Sequence, residues 1–388
     1  MTVSPAPRLR LLLLTAALGG AVPAAPPAAA EDRLLQEAVG FAGAIAFLGS
    51  GAPGLLVAAV RDGETAFAGF GEIAKGTGKE PQPDTLMRIA SVSKVFCGDV
   101  LGSLAVEGKL ALTDPVQAHL PADYTVPEKD GHVLRLLDLV TQASGLPREV
   151  PNQTGGTPDD PFAGNTAALQ VEELKKGDPY LFPPGTGALY SNWGYDVLGA
   201  ALAQTGGKPY AELLDERVLG PRGMTATKFN LAPGDEANAM QGHGFSGEPL
   251  PFVPSPVSIE CAGGLHTTAA DMQKFMAWHL DRDAAEDVEA RRMSHAAWLW
   301  RDGLVPVGGL DDAGEMAAMT LGWVVVAPEG TRPLILQKTG GLQGMFVYVA
   351  IAPERGVGVF TAMNAFSVGG FPLMVSTAND LIAELAPR

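Results

Sequence analysis

The chain of 388 residues is poor in cysteine, in positive charge and in long apolar runs. Its two cysteines, Cys97 and Cys261, are far fewer than the disulfide framework of a small secreted scaffold uses. Lys and Arg number 27 against 43 Asp and Glu, a formal net charge of −16. Such a field repels nucleic acid and anionic membrane surfaces, and no basic cluster offsets it locally. The six histidines, at 119, 132, 243, 266, 279 and 295, lack His-Glu-x-x-His or comparable metal spacing. They read as surface or hydrogen-bonded structural residues, and neither a metal nor another cofactor is expected. After residue 30 no stretch is apolar for the roughly 20 residues that a bilayer span needs, so no integral span is expected in the mature chain. Trp278, Trp298 and Trp300 read as core packing rather than as a carbohydrate platform.

What is present is a foldable, loop-rich composition: 46% hydrophobic, 18% charged, with 48 Gly and 31 Pro that follow no period. This excludes both disorder and collagen. At the start, Arg8 and Arg10 lead into Leu11–Leu18 and then into small residues ending Ala28-Ala29-Ala30. That pattern is a secretory signal over residues 1–30, cleaved near Ala30. Gly19, Gly20 and Pro23 interrupt it too early for a span, and no cysteine follows the cleavage point to carry a lipid. Export would permit one disulfide, Cys97 to Cys261, though this pairing is the less favoured reading; Cys97, one turn beyond Lys94, reads as a packed core thiol rather than a nucleophile.

Helical spacing covers Asp32–Ile45, followed by a buried strand Leu55–Val60, a tight turn at Asp62-Gly63 and a partner strand Glu64–Phe70. A helix with its N-terminus at Ser91 runs to Gly108. Further helical patterns cover Leu134–Val140, Gly194–Gln204, Tyr210–Leu219 and Thr268–His279, and the Gly-, Pro- and Asp-rich segment Pro151–Asp178 reads as an irregular loop. Short β-rich runs return at Leu321–Val326, Leu334–Gln337, Phe346–Ile351 and Val357–Ala362, before a final helix Pro372–Leu385. The order predicts an α+β fold: one antiparallel sheet built from both chain ends, flanked by N- and C-terminal helices, with a mainly helical region inserted. Residues 31–96 plus 301–388 would form the sheet sub-domain and 97–300 the helical one.

Ser91-Val92-Ser93-Lys94 places a hydroxyl and an ammonium one helical turn apart, at a helix start whose N–H groups favour a developing oxyanion. A chain this long holds about one Ser-x-x-Lys by chance; Tyr-x-Asn is expected in about half of such chains and Lys-Thr-Gly in about one in ten. Here Tyr190-Ser191-Asn192 follows a Pro183-Pro184-Gly185 turn, and Lys338-Thr339-Gly340-Gly341 lies on a predicted strand near the C-terminus. Each motif occurs once, in an order that supports nucleophilic acyl transfer.

These blocks resemble the serine β-lactamase and penicillin-binding protein superfamily, in its class C branch with Tyr-x-Asn as second motif. The resemblance covers nearly the whole mature chain, with Ser144-Gly145-Leu146-Pro147 and Gly223-Met224 as further blocks. Leu146-Pro147-Arg148-Glu149, Leu321-Gly322-Trp323-Val324 and Gln337–Gly341 are most similar to the AmpH-type D-alanyl-D-alanine carboxypeptidase/endopeptidases of the bacterial periplasm. The resemblance implies Ser91 as acylated nucleophile and the N–H groups of Ser91 and Gly341 as oxyanion hole. It implies Asn192, Thr339 and Gly340 in substrate binding, with Thr339 on the carboxylate. Tyr190 would be base or proton shuttle, its phenol lowered by about 3 units by Lys94 and Lys338; the rival assignment makes neutral Lys94 the base. Peptidoglycan peptides are the implied substrates and β-lactams the implied inhibitors or poor substrates. A class C-like β-lactamase, an esterase and a silent penicillin-binding sensor module are the alternatives. Two positions depart from the pattern: Gln142 stands where many relatives show His, and Gly341 where class C β-lactamases often place Ser.

Overall fold

The apolar run Leu55–Val60 shows no alternation because both of its faces are covered. In the computed structural model, which describes residues 1–2, 32–157, 160–282 and 284–386, this run is strand β1 (Gly54–Arg61). It turns into β2 (Glu64–Gly71) through Asp62 and Gly63, both at positive φ as a two-residue hairpin loop requires. Apart from Met1 and Thr2, the signal segment expected over residues 1–30 lies outside the described residues.

The remaining strands are β3 (Met87–Arg88), β4 (Ala188–Leu189), β5 (His266–Thr267), β6 (Leu299–Trp300), β7 (Val307–Gly308), β8 (Met316–Met319), β9 (Val324–Val326), β10 (Ile335–Leu342), β11 (Met345–Ala352) and β12 (Val357–Met363). The helices are α1 (Arg33–Ser50), α2 (Ser93–Val106), α3 (Leu136–Val140), α4 (Ala167–Lys175), α5 (Asn192–Gly206), α6 (Tyr210–Leu214), α7 (Glu260–Gly263), α8 (Ala269–Leu280), α9 (Val288–His295) and α10 (Gly370–Leu385).

Eight strands form one antiparallel sheet in the order β2-β1-β12-β11-β10-β9-β8-β6. Leu55 faces Met363 and Arg61 faces Val357, so the first strand pairs with the last and the fold is α+β as expected. On one face Leu55, Val57 and Ala59 pack with Leu35 and Val39 of α1 and Met374 and Ile382 of α10. On the other, Leu56, Ala58 and Val60 join Val100 of α2 and Phe275 and Met276 of α8. Each large aliphatic side chain buried this way is worth about 1.5–3 kcal/mol. The two-sided sheet thereby fixes β10 at its centre, the strand that carries Lys338–Gly341.

Three expectations are corrected. The segment Pro151–Asp178 is not irregular throughout: its Gly and Pro residues stop at Gly164 until Gly177, and between them Thr166 caps α4 by accepting from the Leu169 N–H at 3.2 Å. Cys97 on α2 and Cys261 on α7 are disulfide-bonded, with Cα atoms 5.4 Å apart, so Cys97 is not a free core thiol. Their sequence separation of 164 offered no spacing cue. Trp298 and Trp300 are exposed rather than core, while Trp278 packs under the Arg222 guanidinium, 3.7 Å from its ring centre. Among the described residues no helix is long and apolar enough to cross a membrane.

Candidate active site

Ser91 does not open α2 but sits inside a preceding 3-10 turn, Ala90–Val92, that runs straight into it. The turn is held at both ends. Ile89 N–H donates to the Leu265 carbonyl at 2.9 Å, and the buried Ser93 hydroxyl donates to the Ala90 carbonyl at 2.7 Å while accepting from the Leu265 N–H at 3.2 Å. Ala90 is forced to φ +48°, a left-handed conformation that costs a non-glycine residue of order 1–3 kcal/mol. Against this turn lies β10, and the approach is close enough to require Gly340: a Cβ there would come within 2.5 Å of the Ile89 carbonyl oxygen and 3.2 Å of the Ser91 nitrogen. Ser91 is left half-buried beside a cleft of about 260 Å³ that Gly341 also lines. A side chain at Gly341 would begin 2.9 Å from the Phe346 ring, so the ring would have to move aside for it.

One turn along α2, the fully buried Lys94 Nζ lies 3.3 Å from Ser91 Oγ. It donates to Asn192 Oδ1 at 2.7 Å and to the Ala262 carbonyl. Burial, with the charge of Lys338 adding to it, holds the Lys94 ammonium well below the ordinary lysine range, against the opposing pull of Asp196 and Glu149. Asn192, the first residue of α5, is fixed in turn by donating its Nδ2 to Glu149 Oε1 at 2.6 Å. Ser191 caps α5, accepting from the Gly194 N–H at 2.9 Å, and its own hydroxyl donates to the Pro147 carbonyl at 2.7 Å.

Tyr190, half-buried, has three cations around its ring: Arg148 at 4.7 Å, Lys94 Nζ at 5.0 Å and Lys338 Nζ at 5.1 Å from the centroid. These do not lower its phenol as expected. Burial pushes the phenol above its ordinary value, and the hydrogen bond with Ser91 and the Arg148 charge only partly oppose it. The two lysines fail to lower it because they are buried with the ring and burial disfavours their own charged forms, and the exposed Arg148 opposes the burial only in part. Lys338 is lowered to about 7, first by burial, against the pull of Asp312. Its Nζ donates to the Thr339 carbonyl at 2.8 Å. Gln142 faces inward and its Oε1 accepts from the Ser191 N–H at 2.6 Å, bracing the Tyr190–Asn192 turn.

Ser91, Lys94, Tyr190, Asn192, Lys338 and Gly341 are thus brought together from three distant parts of the chain, with Thr339 and Gly340 alongside on β10. Three participants were not singled out from sequence: the Ala262 carbonyl, the buried Asp196 one turn beyond Asn192, and Glu149 as the anchor of Asn192. A main-chain carbonyl has no side-chain signature. Asp196 was detectable as an acid on the apolar side of a helical pattern, four residues after the Asn of the motif.

The fold and this constellation are those of a serine hydrolase of the β-lactamase type. A family model described as Beta-lactamase matches residues 32–383, and the chain belongs to that family. Over 342 residues it is 32% identical to D-alanyl-D-alanine-carboxypeptidase/endopeptidase AmpH of Escherichia coli K12, covering 88% of this chain and 86% of that one. Beta-lactamase of Pseudomonas fluorescens is 26% identical over 330 residues, 80% of this chain and 88% of the relative. Among solved structures, the β-lactamase/D-alanine carboxypeptidase of Yersinia pestis complexed with citrate aligns with a TM-score of 0.83 at 33% identity, covering 91% of this chain and 99% of that one. The protein is a hydrolase of this serine-enzyme family.

Proposed function

We propose that the protein is an exported, periplasmic D,D-peptidase that cleaves D-alanyl bonds of peptidoglycan peptides through an acyl-enzyme on Ser91. The observation that carries the chemistry is the environment of Lys94. A neutral amine has two N–H donors and one lone pair, and Asn192 Oδ1 and the Ala262 carbonyl occupy both donors. The lone pair is then free for the Ser91 hydroxyl at 3.3 Å. In this reading Lys94 takes the Ser91 proton as Oγ attacks the carbonyl carbon, and the N–H groups of Ser91 and Gly341 hold the oxyanion. Tyr190, kept as a phenol, donates its proton to the departing amine nitrogen and is reprotonated from Lys94. Water then attacks the acyl-enzyme along the vacated path, restoring the Ser91 hydroxyl. Asn192 orients the substrate amide, while Thr339, Gly340 and Lys338 receive the substrate carboxylate. The division into a sheet sub-domain (31–96 with 301–388) and a helical one (97–300) puts Ser91 close to the proposed boundary.

Support for a peptidase over a β-lactamase comes from the higher identity to the carboxypeptidase/endopeptidase relative than to the β-lactamase relatives, and from Gly341. The test is to incubate the mature protein with pentapeptide muropeptides and, separately, with penicillin, identifying products by mass spectrometry. D-Ala release or cross-link cleavage, with penicillin held as a slowly released adduct, is expected. Rapid penicillin turnover without muropeptide cleavage would overturn it in favour of the β-lactamase alternative.

A further inference from the structure

Helix α5 and the 257–263 segment form a wall with two sides. On one side Asn192, Ile259, Ala262 and Gly263 line the Ser91 cleft. On the other, Asp196, Glu260 and Cys261 line a second cavity of about 400 Å³ whose remaining surface is largely apolar, including Ala200, Ala203 and Pro256. Of the residues that line this second cavity none is Lys, Arg or His.

Some of its polar groups lack partners, although Asp196 Oδ2 accepts from Asn165 Nδ2 at 2.8 Å. Glu260 is only 7% exposed, and among the described residues no hydrogen bond or ion pair satisfies its carboxyl; burial alone pushes that carboxyl up to about 7. Tyr210 Oη and Asp196 Oδ1 are likewise buried without a hydrogen-bond partner, and Glu260 lies close enough for its charge to push the Tyr210 phenol further up. A buried polar oxygen without a partner, such as Asp196 Oδ1 or Tyr210 Oη, is costly, about 1–3 kcal/mol for the missing hydrogen bond. What would satisfy them is a cation that donates hydrogen bonds, and what would fill the groove is an apolar body.

We infer that this cavity is a second ligand site, separate from the Ser91 cleft, for a small organic ammonium compound. The ammonium N–H groups donate to the Glu260 carboxylate and the Tyr210 oxygen, and the apolar part lies along Ala200 and Ala203. Anionic ligands are excluded by the two acids, and a neutral isostere gains the groove without the ion pair.

The experiment is a calorimetric titration of the purified protein with benzylammonium chloride, in parallel with benzyl alcohol. Saturable binding of the ammonium is expected, with the alcohol weaker by about tenfold or more, the cost of one charge-assisted hydrogen bond. Glu260→Gln should remove that preference. Ala203→Phe, which fills the groove without touching an acid, should abolish binding of both probes, and thermal unfolding of each variant checks that it is folded. Absence of saturation with the natural sequence, equal affinity for the two probes, or unchanged affinity in folded Glu260→Gln or Ala203→Phe would each overturn the assignment. Muropeptide cleavage is measured separately, so the function proposed for Ser91 stands or falls on its own.

Discussion

Lys94 Nζ donates to Asn192 Oδ1 across 2.7 Å, and the amide is held in that orientation because its nitrogen donates to Glu149 at 2.6 Å. The side chain of the second motif therefore presents an uncharged acceptor to the lysine of the first. Replacing that acceptor by a carboxylate, Asn192→Asp, would favour the ammonium form and raise the Lys94 pKa. The acylation rate at neutral pH should fall by about 10-fold to 100-fold, and the acid limb of the kcat/KM profile should move to higher pH, recovering rate on the alkaline side. A uniform loss at every pH would remove Lys94 from the role of base.

Ser91→Ala should abolish covalent labelling by a fluorescent penicillin while leaving thermal unfolding close to that of the parent, since the side chain is half-buried and packs little. Labelling that persists at another residue, located by peptide mass spectrometry, would reassign the nucleophile.

Tyr190→Phe keeps the ring that lies among Lys94, Lys338 and Arg148 and removes only the hydroxyl. A shuttle at this position predicts acylation slower by about 10² to 10⁴ with little change in the substrate dissociation constant. Stopped-flow acylation over a range of substrate concentrations separates the two; weakened binding at an unchanged limiting rate would make Tyr190 a recognition residue.

Lys338 carries a depressed pKa, about 7, because its charge is buried. The native state therefore binds fewer protons at this site than the unfolded chain between about pH 7 and the ordinary lysine value of 10.5, so this group makes stability rise with pH across that window. Lys338→Met removes the dependence. Denaturant unfolding at pH 7 and pH 9 should show a smaller gain on going to pH 9 in the variant than in the parent. An equal gain would mean that the lysine is not desolvated in the folded protein.

The disulfide closes a loop with a sequence separation of 164, for which chain-entropy arguments give about 3–5 kcal/mol. Cys97→Ser with Cys261→Ser should lower unfolding stability by that order, and reductant should do the same to the parent but not to the double variant. No difference between the two proteins under oxidising conditions would show that the thiols are not bridged.

The sequence made the outer frame readable because hairpin chemistry and strand length are local. Asp62-Gly63 pointed to a turn, and Leu55–Val60, short, apolar and bounded by turn residues, read as a buried strand. The three motifs were equally readable as motifs. What they could not reveal was electrostatics. Lys94, Lys338 and Tyr190 look like two cations and a phenol on paper, and proximity alone suggested that the phenol would be lowered. Burial reverses this, because it acts on all three groups at once and disfavours every charged form. Burial depends on how β10 and the 257–263 segment close over α2, which no local pattern encodes. The same holds for the disulfide and for α4, where a composition average over Pro151–Asp178 hid a helix with its own cap.

Ser91 and the strand that flanks it enter the fold from opposite ends of the chain. In the sheet β10 is joined to β1 through β11 and β12, and β12 is the strand that pairs with β1. A chain emerging N-terminus first therefore carries Ser91, the proposed nucleophile, for about 240 residues of synthesis before the glycine strand of the proposed oxyanion pocket exists. An unfinished or C-terminally clipped chain should be inert toward acyl substrates. Were the protein the peptidase proposed above, its chemistry would begin only after the last strands have been made and folded.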